Sequence, residues 1–157
     1  GNTAPVLVFE SELTSFAGLG ILNTMVFDWV ARRMASGLHL NKFILEGLVW
    51  PTLSSEEIKA AAKAAWSICL ARPRAGLAAE ELKKPLWFDT KGVRARATSE
   101  IEAAAELEVL VARGLGLTAE HLEWVFRADR ADRRGFWRHF DSNSSAKAVA
   151  ARAAKLF

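Results

Sequence analysis

The stretch Met34–Pro51, MASGLHLNKFILEGLVWP, decides the fold. Its second half, Lys42 to Trp50, places Phe43, Ile44 and Leu45 side by side and stops at Pro51, which has no amide hydrogen to give to a ladder. Such a run predicts a strand. The β-rich run Pro5–Phe9, PVLVF, reads as a second strand. Together they predict a small N-terminal sheet. The first half poses another question. Ser36 and Gly37 suffice to stop a helix and turn the chain. Leu38 and Leu40 can point inward, which leaves His39, Asn41 and Lys42 surplus to the turn. Either Asn41 or His39 bonds local backbone and stiffens the connection, or these side chains face something outside the protein.

On either side of this stretch the pattern is helical. From Leu13 to Ala35, Leu22, Met25, Val26, Trp29 and Val30 recur at three- and four-residue spacing, with Thr24, Asp28 and Arg32 on the opposite face. Gly18 and Gly20 permit another backbone to come close. Downstream, Ser54 and Glu57 stand at capping-box spacing before a helix reaching Ala71, and Ser99 and Glu102 do the same before a helix reaching Arg113. Gly114 and Gly116 end the latter, Thr118 caps a short helix through Phe126, and Ser144 to Phe157 forms an Ala-rich terminal helix. Residues 72–97 are the least regular. The expected fold class is α+β and helix-dominated. Residues 1–53 would hold the sheet as the distal part of one domain, and 54–157 would form a mainly helical subdomain.

Composition narrows the functional classes. The chain has 157 residues, 51% hydrophobic and 25% charged, enough to build a core. Its single cysteine, Cys69, excludes an internal disulfide and fits a reducing, cytoplasmic setting. No apolar run reaches membrane-spanning length. The formal charge of +3 permits a nucleic-acid surface without requiring one. The abrupt start, GNTAPVLVF, reads as a piece of a longer protein.

Catalytic chemistry finds little footing. His39, His121 and His139 are dispersed, and with one cysteine a zinc site is not expected. Glu81-Leu82-Lys83 has a nuclease-like spacing but no upstream aspartate partner. The Gly-Leu-Gly pairs at Gly18–Gly20 and Gly114–Gly116 lack the framing of a phosphate loop. No catalytic, cofactor-binding or metal-ligating residue is therefore assigned. The remaining cluster is basic: Arg127, Arg130, Arg133, Arg134 and Arg138, interleaved with Asp129, Asp132 and the aromatics Phe136, Trp137 and Phe140. Arginines beside aromatics suit a nucleic-acid backbone, while the interleaved aspartates equally suit local ion pairs.

One resemblance adds to this reading. Leu22-Asn23-Thr24, Phe27-Asp28-Trp29, Arg32, Gly37, His39-Leu40-Asn41, Phe43-Ile44-Leu45 and Pro51 follow one another in an order and spacing found elsewhere. The segment resembles the distal half of the target-recognition domain of N6-adenine DNA methyltransferases of the restriction-modification type. These include fused methylase-nucleases, and the type I specificity subunits share a shorter version. Thr24 stands where that family usually has Ser, and Val49 where a proline is common. The segment SEIEAAAELEVLVARGLGLTAEHLEWVF, Ser99–Phe126, is similar to the helical tail of those proteins.

The resemblance implies a division of labour. The parent enzyme would bind S-adenosylmethionine and flip the adenine in a separate domain carrying adjacent prolines, which Pro5, Pro51, Pro73 and Pro85 do not supply. This chain would grip double-stranded DNA, without catalysis or cofactor of its own, beside the remainder of the parent methyltransferase. Arg32, His39, Asn41, Lys42, Arg133, Arg134 and Arg138 are the expected DNA-contact residues. Self-association through an unpaired strand edge is expected too. The competing expectation is a helical protein-interaction or oligomerisation module.

Overall fold

Where the sequence promised a strand over 42–50, residues 42–47 are helical, and residues 7–9 of the other expected strand take no regular structure. The computed structural model describes residues 7–34, 42–71, 100–126 and 144–157, and every regular element among them is an α-helix. These are α1 (Glu12–Leu22), α2 (Met25–Met34), α3 (Lys42–Gly47), α4 (Ser55–Ala71), α5 (Glu100–Gly114), α6 (Ala119–Val125) and α7 (Ser144–Leu156).

The α+β expectation is therefore corrected: among the described residues there is no strand and no N-terminal sheet. Residues 42–47 form α3 because their apolar side chains serve a helical face. Leu45 and Leu48 are buried, Ile44 is half-buried, and Glu46 and Gly47 are exposed. That i, i+1, i+4 stripe packs toward α2. Residues 7–9 pair with nothing as a ladder; Val8 is 90% exposed. A strand is stable only with a partner to satisfy its backbone, and neither run supplies the other with one. They do meet, through rings: Phe9 lies edge-on to Trp50 at 6.2 Å, and Trp50 packs on Phe27 at 5.1 Å. Self-association through a bare strand edge thereby loses its structural ground.

The single helix expected over 13–35 is two. α1 and α2 turn by 73° at Asn23–Thr24. Asn23 Nδ2 donates to the Leu19 carbonyl at 2.8 Å, and Thr24 Oγ1 donates to the Ile21 carbonyl at 2.8 Å. Thr24 Oγ1 also accepts the Phe27 amide at 3.2 Å, which makes Thr24 the local cap of α2.

α5 is the central helix, packing against α1, α2, α4 and α7. Ala105, Val111 and Ala112 are wholly buried there, with Phe27 and Val26 of α2 and Leu122 and Val125 of α6 in the same core. α1 lies close on α4 through small residues, Ala17 against Ala61, Ala62 and Ala65. A Cβ on Gly20 would stand 3.0 Å from the Ala65 Cβ and 3.1 Å from Leu107, so this closeness depends on glycine. The α5–α6 turn is equally specific. Gly116 adopts φ +72°, Leu117 N–H reaches back to the Ala112 carbonyl at 2.9 Å, and Gly116 N–H reaches the Arg113 carbonyl at 2.9 Å. This is a Schellman stop, for which glycine is the residue of choice.

Two helix starts match their sequence signals. Ser54 N–H donates to Glu57 Oε2 at 2.7 Å and Glu57 N–H to Ser54 Oγ at 3.3 Å, a reciprocal box at the start of α4. Thr118 caps α6, with His121 as its unusual reciprocal partner: Thr118 N–H donates to His121 Nδ1 at 3.1 Å. Among the described residues no single helix is long and apolar enough to cross a membrane. α1 and α2 together have that length and composition, but are broken by the 73° turn.

Candidate functional site

α2 carries both features that stand out from a plain helical bundle, one at each end. Its last turn holds Arg32 and Arg33, cations placed where the helix dipole favours them. Arg32 Nε donates to Asp28 Oδ2 at 2.9 Å, one turn back, with its own side chain 60% exposed. Arg33 lies over the Trp29 ring, 4.9 Å from its centroid, and 5.7 Å from that of Trp124 on α6. The two indoles meet edge to face at 5.2 Å. The result is a guanidinium resting on two half-buried aromatics, beside a second exposed arginine. Cation–π contact holds Arg33 in place, and its charge remains at the surface. Such a surface suits phosphate or a stacked base.

The other end is buried. Glu108, in the middle of α5 and 3% exposed, reaches the first turn of α2. Its Oε1 accepts the Met25 amide at 2.7 Å and its Oε2 the Val26 amide at 3.0 Å. These are two of the orphan donors that every helix start leaves. A carboxylate at that position also meets the positive end of the helix dipole. Against this stands burial, which pushes the carboxyl up to about 7, with a smaller push from Asp28; the two backbone bonds pull the other way. Glu108 further lines a cavity of about 300 Å³ between α1, α4 and α5, together with Gly20, Thr24, Ala65, Cys69 and Leu107.

The seven sequence-derived contact residues fare unequally. Arg32 is where expected, on the exposed side of α2. Lys42 begins α3 rather than a strand, and its side chain lies outside the described residues, as do His39, Asn41, Arg133, Arg134 and Arg138. Arg33, Trp124 and Glu108 escaped the sequence reading. Arg33 stands at i, i+4 from Trp29, a signal that was present; Trp124 and Glu108 join from far along the chain and left no local trace.

Charge is unevenly divided. Residues 7–34, 42–71, 100–126 and 144–157 hold nine Lys and Arg against twelve Asp and Glu. Residues 72–99 and 127–143 hold twelve against six, so the net positive charge belongs to those two segments. Among the described residues no group of three or more His, Cys, Asp and Glu is gathered to hold a metal. No family model matches the chain, and comparison with curated proteins and with solved structures likewise gives no match.

Proposed function

We propose that this chain is a DNA-binding module, non-catalytic by itself. It would sit, cytoplasmic, beside the remainder of a restriction-modification or phage-defence adenine methyltransferase whose other domain uses S-adenosylmethionine. The observation that carries the DNA reading is the end of α2, where Arg33 rests on Trp29 and Trp124 beside the exposed Arg32. The Arg32–Asp28 pair does not oppose it, since an exposed i, i+4 pair is easily exchanged for a phosphate. The basic excess of residues 72–99 and 127–143, which includes Arg133, Arg134 and Arg138, supports the same reading. The parent enzyme rests only on the resemblances of Leu22–Pro51 and Ser99–Phe126.

The test is binding to a 24-base-pair duplex, read by fluorescence anisotropy at rising salt. Affinity should fall steeply with salt, and the Arg32→Ala/Arg33→Ala variant should lower the slope of log K against log salt by about 2. Salt-independent binding, or no binding at 50 mM salt, would remove the proposal.

A second reading has its own observation. Leu7, Phe9, Phe16, Leu19 and Leu22 line an open apolar groove of about 380 Å³, in which Leu7 and Leu19 stay more than 40% exposed. That surface fits a helical interaction or oligomerisation module. Sedimentation separates the two: concentration-dependent assembly that Leu19→Lys abolishes, with no DNA affinity, favours the second.

A further inference from the structure

We propose that the cavity between α1, α4 and α5 is a binding site for a small organic amine, its ammonium group meeting the Glu108 carboxylate and its apolar body lying against Ala65 and Leu107. The room is sufficient. At about 300 Å³ the cavity reaches the lower end of the range of small-molecule pockets and far exceeds the space of one water. Its floor is buried: Gly20, Thr24, Ala65, Leu107 and Glu108. Its mouth is marked by Leu19, 43% exposed, and by Asn23, also exposed. Apolar walls with one polar group at the base bind and orient a small ligand.

Glu108 is that polar group. An ionised carboxylate offers about four lone-pair positions, and the Met25 and Val26 amides take two of them. Thr24 is committed locally, its hydroxyl donating to the Ile21 carbonyl and accepting the Phe27 amide. Capping alone does not call for a glutamate here, since a neutral acceptor serves as well, as Thr24 shows. A carboxylate buried to 3% exposure is ordinarily paired with a cation. Among the described residues no lysine, arginine or histidine lines the cavity. Asp28 of α2 is of like sign, and Arg152 of α7 is held by Glu102 at 2.6–2.7 Å. The two amides and the positive end of α2 favour the ionised form of Glu108, and burial opposes it. An ammonium group in the cavity tips that balance toward the ion pair. Charge complementarity thus selects an amine over a neutral or anionic molecule of the same shape. The site lies at the opposite end of α2 from Arg32 and Arg33 and does not rest on the DNA reading.

The test titrates the whole chain with benzylamine, benzyl alcohol and benzoate, probes of one shape and different charge, followed by two-dimensional amide NMR at neutral pH. Benzylamine should shift the Gly20, Met25 and Val26 amides saturably, and amide hydrogen exchange at Met25 and Val26 should slow when it is bound. Benzyl alcohol should bind about tenfold more weakly, the difference expected of a hydrogen bond to a charged group, and benzoate should not bind. Glu108→Gln, which keeps the side-chain shape and cannot ionise, should erase the preference for the amine over the alcohol. Ala104→Leu, which adds bulk to the cavity from α5, should weaken both. No saturable shift with benzylamine, equal affinity of the wild-type chain for amine and alcohol, or shifts that Ala104→Leu leaves unchanged overturns the site. The wild-type comparison stands whether or not either variant folds. DNA affinity is not read, so failure of the DNA proposal leaves the result intact.

Discussion

α4 and α2 begin in opposite ways. α4 starts on Ser54 and Glu57, three residues apart, exposed, each bonding the other's amide. α2 starts on Thr24 and on Glu108, which is buried and arrives from the middle of α5. The first start is written in four consecutive residues and survives wherever the helix is placed. The second exists only when α5 is packed against the corner. Proton chemistry separates them further. The Ser54 side chain and backbone hold Glu57 below the usual carboxylate range, whereas burial lifts Glu108 to about 7. One carboxylate caps by staying charged in water, the other by being enclosed.

The strongest way to break this contrast is to remove what seats α2 apart from its cap. Phe27 is 1% exposed and fills the core under Trp50. Phe27→Ala should cost about 3–5 kcal/mol in chemical denaturation. A loss below about 1 kcal/mol would mean that α2 is not anchored in this core.

Gly20→Val probes the other side of the corner. Its branches would meet Ala65 and Leu107, already 3.0–3.1 Å from an ideal Cβ. An overpacking cost of about 1–3 kcal/mol is expected, with α1 forced away from α4 and α5. An unchanged unfolding midpoint would contradict that packing.

Ser54→Ala sharpens the contrast from the local side. Losing the cap should cost about 1 kcal/mol and leave exchange at α2 untouched. Slower protection at Met25 and Val26 in this variant would show that the two starts are coupled. The smallest effect belongs to Arg152→Ala. Its paired carboxylate, Glu102, is surface-exposed, so the thermal midpoint should barely move, and any change should vanish at high salt.

The same contrast explains what could be read from the sequence. α4, α6 and the Gly116 stop were legible because their signals lie within four or five residues: Ser54 with Glu57, Thr118 at the helix start, Gly116 at the required positive φ. The 42–50 run misled because Phe43, Ile44 and Leu45 suit a strand as well as a helix. The choice was made elsewhere, by the absence of a pairing partner among the described residues and by the core that receives Leu45 and Leu48. Asn23-Thr24 concealed a corner because the apolar spacing continues unbroken through it, while the turn is held by side-chain bonds and by Glu108. Of the candidate interface, Arg32 was legible from its place opposite the apolar stripe. Its neighbour Arg33 was not singled out, and Trp124 could not have been, since contact across about ninety residues leaves no periodicity.

The most direct test of the account is the pH dependence of unfolding between pH 5 and 8. Glu57, with its carboxyl lowered, contributes stability that is present above the ordinary value and is lost only as pH falls through the lowered one. It should be silent in this window. Glu108, with its carboxyl raised, contributes stability that is full below 4.5 and is lost as pH rises through about 7. The wild-type chain and Glu57→Gln should therefore lose stability with rising pH, approaching about 1.4 kcal/mol per unit between pH 5 and 7 before flattening. Glu108→Gln should remove that slope. A wild-type profile that is flat or rises over this range, or one that Glu108→Gln leaves unchanged, would contradict a buried carboxyl as the anchor of α2.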